Sequence, residues 1–175
     1  MKLASFRAEG HDHVGVEIAP GLLADVADLL REAGAARAAL EDMMALIRAG
    51  DALLDDLRGA IASSARGVRQ FKAEEVSWHP PVRTPSKVVC LALNNRALDA
   101  IKIRAPTDHP AFFLKPFTAL TGHRTAIRMR PSYGLTHPEP ELAVVIGRTL
   151  KDASAESTLD AHVRHYTTTV LRDAV

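Results

Sequence analysis

Nine of the ten prolines lie at or beyond position 80, at 80, 81, 85, 106, 110, 116, 131, 138 and 140, whereas the first 79 residues hold only Pro20. Proline lacks an amide donor and clashes with the preceding helical turn, so no helix of useful length fits among the prolines from 106 to 140. That part of the chain reads as strand and loop. Ahead of it, His79-Pro80-Pro81-Val82-Arg83-Thr84-Pro85 forbids regular structure, because each proline also restricts the residue before it. The expected organisation is α+β, with a small N-terminal α/β domain over residues 1–77, a proline-rich linker over 78–86 and a β-rich domain over 87–175.

Within the first part, Leu3, Phe6, Val14, Val16 and Ile18 alternate with polar residues around a turn at Gly10 to Asp12, which predicts a β-hairpin. From 22 to about 65, alanine and leucine dominate. Apolar residues there recur at three- and four-residue spacing (Leu40, Met43, Met44, Ile47; Leu53, Leu54, Leu57, Ile61), predicting two or three helices broken at Gly34 and Gly50. Asp51 is placed to cap the helix after Gly50. In the second part, residues 87–93, 111–114 and 142–146 read as strands, the last stopping at Gly147. A helix over 154–165 is the exception, with Ser154 as its N-cap and Glu156 in its first turn. The strands are almost continuously apolar, the pattern of strands covered on both faces.

Lys and Arg number 22 against 21 Asp and Glu, a formal charge of +1. A surface so nearly neutral has no electrostatic reason to seek nucleic acid or an anionic membrane. Among 175 residues there is one cysteine, Cys90, which excludes an intramolecular disulfide and a cysteine-based zinc site. Its place in Val88-Val89-Cys90-Leu91 predicts a buried thiol and suits a reducing cytoplasm. No segment approaches the ~20 apolar residues that a membrane span requires.

The chemistry-bearing signal is His137-Pro138-Glu139-Pro140-Glu141-Leu142-Ala143-Val144-Val145-Ile146-Gly147. On a strand, residues two apart point to one face, so Glu139 and Glu141 would stand side by side. Two like charges so close repel unless a cation lies between them, and oxygen ligation suits Mg²⁺, Mn²⁺ or Ca²⁺ better than zinc. The plainer alternative is a pair of solvated glutamates leading into a strand.

This run resembles the metal-binding strand of the fumarylacetoacetate hydrolase family, which reads Glu-x-Glu-Leu-(Ala/Val)-Val-Val-Ile-Gly. Pro85-Ser86-Lys87-Val88-Val89-Cys90-Leu91-Ala92-Leu93-Asn94 is similar to a second motif of that family, and Phe113-Leu114-Lys115-Pro116 matches a third. The N-terminal part also resembles the small leading domain of bacterial members. The resemblance implies a metal-dependent enzyme, with Mg²⁺ or Mn²⁺, acting on small 2-oxo or 1,3-dioxo acids by carbon-carbon hydrolysis, decarboxylation or keto-enol isomerisation. It makes Glu139 and Glu141 metal ligands and sets Lys115 near the substrate to offset its negative charge. It implies a homodimer or larger assembly.

The departures from the family pattern are specific. Members carry a His and Glu dyad that activates water, and its positions fall here on Leu98 and Ile101, which cannot accept a proton. Asp99, His109 and His137 remain as candidate bases, and His137 is nearest in sequence to the carboxylates. The run Ala92-Leu93-Asn94-Asn95-Arg96 is similar to dyad-lacking halves of the homoprotocatechuate-pathway isomerase/decarboxylase group. The family's third metal carboxylate aligns with Leu171, leaving Asp173, two residues on, as a substitute ligand. Members also continue for about another hundred residues, so open strand edges are expected to need a partner or a longer chain. A degenerate, non-catalytic subunit is therefore the alternative to an enzyme.

Overall fold

The computed structural model describes residues 1–35, 40, 42–64, 67–94, 109–136, 138–147, 149–154 and 163–172; for 64, 138, 139 and 163–172 it describes the backbone. The N-terminal part is built on the predicted hairpin, β1 (Leu3–Ala8) and β2 (His11–Ala19), paired from Leu3↔Val16 to Ala8↔His11. The two connecting residues, Glu9 and Gly10, both have positive φ, 50° and 81°. That is the primed turn whose twist suits adjoining antiparallel strands.

Residues 22–25 form a strand, β3 (Leu22–Asp25), where the composition predicts the start of the helical stretch. The run Leu22-Leu23-Ala24 suits either state, and pairing to β2 decides it. Two short strands complete an antiparallel sheet: β4 (Gln70–Lys72) beside β3, and β5 (Ser77–Trp78) beside β1, in the order β4-β3-β2-β1-β5. Helix α1 (Val26–Glu32) ends just before Gly34, as predicted. Helix α2 (Met43–Ser64) is interrupted at Gly50, whose φ of 71° and ψ of −155° break the helical path. Glycine enters that conformation without the steric penalty a β-carbon brings.

Both helices lay their apolar stripes on the sheet. Val16, Val26, Leu29, Leu46, Leu53 and Leu57 are fully buried between them, and Val14 joins the same cluster. Phe6, Leu23 and Phe71 form a second buried cluster, with Trp78 packed at its margin. Fully burying each large side chain contributes about 1.5–3 kcal/mol, so this part of the chain has a core of its own.

The residues after Trp78 lack helix or strand up to 87, as their prolines require, yet they are fastened to the sheet. His79 N–H donates to the Ser5 carbonyl at 2.9 Å, the Ser5 hydroxyl donates to the Pro81 carbonyl at 2.8 Å, and Val82 packs on the core. Asp12 adds a charged clamp. Its carboxylate accepts from Arg7 at 3.1 Å, from His79 at 3.0 Å and from Arg83.

The second part consists of two hairpins in separate two-stranded sheets: β6 (Val88–Leu91) with β7 (Phe112–Lys115), and β8 (Pro138–Ile146) with β9 (Val163–Arg172). Strand β8 begins four residues before the predicted start because its prolines are tolerated. Pro138 and Pro140 share a parity, so their nitrogens face the side without a partner strand, where no donor is needed. Strand β9 replaces the C-terminal end of the helix predicted over 154–165, its pairing with β8 outweighing local propensity, while residues 155–162 lie outside the described residues. Cys90 is a buried thiol outside any disulfide, as predicted. Among the described residues, the apolar strands are not covered on both faces. Val89, Leu91, Phe112 and Leu114 on one hairpin, and Leu142, Val144 and Ile146 on the other, are 43–64% exposed.

The clamp at Asp12 sets a pH dependence. Hydrogen bonds from His79 and then Arg83 lower its pKa from 3.8 to about 2. A carboxylate depressed on folding stabilises above its unfolded pKa and loses that contribution as pH falls through the folded value. Asp12→Asn should therefore lower the melting temperature by a few degrees at pH 7, corresponding to about 1 kcal/mol for a partly exposed ion network. Thermal melts from pH 7 to 2 should show the gap from wild type closing between pH 4 and 2; a gap constant with pH would exclude the clamp.

Candidate metal and substrate site

The pleat of β8 sets positions 139 and 141 on the same side of the strand, with Pro140 and Leu142 on the other. Glu141 is half-buried, between exposed neighbours. Across the ladder, Glu141 pairs with Thr169 and Glu139 with Leu171. Directly opposed residues of an antiparallel pair share a face, so the side of the sheet that carries the two glutamates also carries positions 169 and 171. Leu171, aligned in the sequence with the family's third carboxylate, thus stands directly across from Glu139. The strand register brings that position to the pair, but the residue there cannot ligate.

Lys115 ends β7, and its ammonium lies over the Phe113 ring, 5.3 Å from the centroid. The two share a face because they are two residues apart, a face opposite to that of exposed Phe112 and Leu114. Strand pairing does not join Lys115 to Glu141, which stand in separate sheets. His137, Asp173, Asp99 and the dyad positions Leu98 and Ile101 lie outside the described residues, as does the side chain of Glu139. Among the described residues, no group of three or more His, Cys, Asp or Glu is arranged to hold a metal. The donor set at 139 and 141 is oxygen-only, which fits a hard divalent cation with water completing its shell.

A polar cluster in the N-terminal part was missed by sequence reasoning. His13 Nδ1 meets the Asp25 carboxylate at 2.7 Å, both side chains being only 5% exposed. Asp25 also caps α1 by accepting from the Asp28 amide at 2.9 Å. Asp28 accepts from Arg69 and Arg31, each at 2.6 Å, and the hydrogen bond from Arg69 chiefly holds its carboxyl below the usual range against the cost of burial. These groups line a cavity of about 370 Å³. Each is engaged by a partner, so the cluster ties α1 to the sheet and to the approach of β4. The one sequence signal for it was Asp25 immediately before the apolar start of a helix.

Residues 87–172 match the family model described as the fumarylacetoacetate (FAA) hydrolase C-terminal domain. The oxaloacetate tautomerase YcgM of Escherichia coli is 39% identical over 79 residues, 45% of this chain and 34% of that protein. A mitochondrial oxaloacetate tautomerase of Bos taurus is 30% identical over 125 residues, 71% of this chain and 38% of its own length. Among solved structures, the maleylpyruvate hydrolase of Sphingobium sp. SYK-6, in complex with manganese(II) ion and pyruvate, superposes with a TM-score of 0.70 at 28% identity. That match covers 97% of this chain and 58% of the hydrolase. A fumarylacetoacetate hydrolase of Exiguobacterium antarcticum shares the fold at a TM-score of 0.72 and 22% identity, over 99% of this chain and 56% of its own.

The chain belongs to the fumarylacetoacetate hydrolase family, and its fold is the mixed α+β fold of that family. The tautomerases and the maleylpyruvate hydrolase among these relatives are enzymes by name. It spans about a third of the length of these curated relatives and a little over half of the solved structures.

Proposed function

We propose that this chain is part of a divalent-metal-dependent enzyme acting on small 2-oxo acids, with keto-enol tautomerisation or decarboxylation as its reaction. The observation that carries this reading is the placement of Glu139 and Glu141 on one side of β8, within the segment that matches the family. Glu139 and Glu141 would hold Mg²⁺ or Mn²⁺, with Asp173 as a further oxygen donor. When bound, the cation supplies Lewis-acid stabilisation of an enolate. Lys115 offsets the charge of the substrate's carboxylate, and His137 is the candidate proton acceptor. With Leu98 and Ile101 at the dyad positions, the chain lacks the family's usual means of activating water, which favours reactions that need none. The named activities of its tautomerase relatives support the same choice. A cytoplasmic setting goes with it, supported by Cys90 as a buried thiol outside any disulfide; no described helix is long and apolar enough to cross a membrane.

A second reading has its own observation. Leu171 directly across from Glu139 removes a charged donor, which favours a non-catalytic subunit that keeps the fold. Titration calorimetry with Mn²⁺ separates the readings. The enzyme reading expects weak binding, with Kd of about 10⁻⁴ to 10⁻³ M for so few charged ligands, abolished by Glu141→Gln and tightened about tenfold by Leu171→Asp. Binding indifferent to both substitutions would place the metal elsewhere.

The reaction is tested by supplying oxaloacetate and an acylpyruvate to the metal-loaded protein. Tautomerisation or decarboxylation of oxaloacetate should exceed cleavage of the acylpyruvate, whose carbon-carbon hydrolysis needs an activated water. Faster acylpyruvate cleavage would mean that another residue serves as the base.

The assembly belongs to the same proposal. Obligate interfaces bury apolar surface of the kind that the strands of the second part leave exposed. Val89, Leu91, Phe112 and Leu114 form an uncharged exposed face that can meet its own copy across a two-fold axis without like-charge repulsion. Light scattering at micromolar concentration should give the mass of a dimer or larger assembly. A monomer with a cooperative melt would rule out this contact.

A further inference from the structure

Trp78, the sole tryptophan, joins the N-terminal sheet through β5, paired as Phe6↔Trp78 and Arg7↔Ser77. Its ring meets Phe6 edge-on, centroids 6.4 Å apart at 68°, and also receives His123 at 6.0 Å and 77°. One residue earlier, Gly122 passes so close to the Trp78-His79 peptide that a β-carbon there would stand 1.7 Å from the Trp78 carbonyl oxygen and 2.4 Å from its carbon. Both obstacles are backbone atoms of a paired strand. They cannot swing aside as a flexible side chain could, so any larger residue would push the segment away by more than an ångström. Gly122 lies outside the positive-φ set, so glycine is required here for space and not for torsion.

The path from this contact to Lys115 is short and partly stiff. After Pro116 comes a single 3₁₀ turn, Phe117–Ala119, closed by bonds of 3.0 Å from the Ala119 amide to the Pro116 carbonyl and from the Leu120 amide to the Phe117 carbonyl. Only Leu120 and Thr121 separate that turn from Gly122. A displacement at Gly122 is therefore carried to the end of β7.

We propose that Gly122, His123 and Trp78 form the joint through which the N-terminal domain positions the strand end that bears Lys115. They are positioning residues, and the catalytic consequence rests on the reading of Lys115 as the group facing an anionic substrate.

Energy transfer tests the joint without reference to activity. In a Cys90→Ala, Lys115→Cys background, a thiol-reactive naphthalene sulfonate at position 115 accepts excitation from Trp78. Gly122→Ala should lower the transfer efficiency and shift Trp78 emission to the red while far-UV circular dichroism stays unchanged. Unchanged transfer and emission in that variant would overturn the proposal. Because Gly122→Ala could fail to fold, a second variant inserts two glycines after Leu120. It keeps the contact and lengthens the path, so transfer should fall with emission unaltered; transfer equal to the parent's would also overturn the joint. With Lys115 and Cys90 intact and oxaloacetate as substrate, the insertion should raise KM about tenfold and leave kcat nearly unchanged, as expected for weakened uniform binding. A fall in kcat alone would count against a positioning role. Absence of turnover in the wild type would count against the proposed function and leave the joint to be decided by energy transfer.

Discussion

A two-stranded hairpin has two faces and two outer edges, and its own strands satisfy only the seam between them. Such a unit is marginal alone in water, and this constraint governs the second part of the chain. The β6–β7 and β8–β9 hairpins each present apolar side chains on an open face. The N-terminal sheet differs, because its five strands carry two helices on one face and an aromatic cluster on the other. Among the described residues, one part of the molecule thus closes its own core, while the other leaves two of its sheet faces uncovered.

Local chemistry made much of the fold legible. The β1–β2 alternation, the stops near Gly34 and Gly50 and the proline-imposed lack of helix each follow from torsion or periodicity within a few residues. What could not be read depended on distant partners. Strand β4 has three residues and β5 two, and they exist only because β3 and β1 lie beside them. Strand β3 has the same origin, since Leu22-Leu23-Ala24 reads equally as a helix start. The residues at 79–83 likewise carry no sign that Ser5 and Asp12, more than sixty positions earlier, would hold them.

The candidate site divides along the same line. Glu139 and Glu141 were recognisable from a two-residue period, and a strand needs nothing further to set both positions on one side. That Leu171 faces Glu139 is a fact of register between strands joined by a long connection, which no local spacing encodes. Lys115 was legible only through its motif, as a lysine ending an apolar strand has no distinguishing pattern of its own. Gly122 illustrates the opposite failure. A lone glycine in an irregular stretch reads as a turn, whereas its role is to let two backbones approach, and only the position of Trp78 reveals that.

The loss of one carboxylate and the loss of a water-activating dyad need not be independent defects. A hydrolase needs a cation held firmly enough to orient both the substrate and an attacking hydroxide, so both features matter to it. Tautomerisation asks less: an oxo acid brings two oxygen ligands of its own, and its enolate needs charge stabilisation without a second nucleophile. On the proposed reading, Glu139, Glu141 and Lys115 would supply charges suited to that smaller task. Leu171, Leu98 and Ile101 would each be a defect in a water-using enzyme, yet together they fit the proposed reading, in which the site would stabilise an enolate without activating water. This coherence, more than the presence of any single residue, is what sets the tautomerase reading above that of an inert subunit.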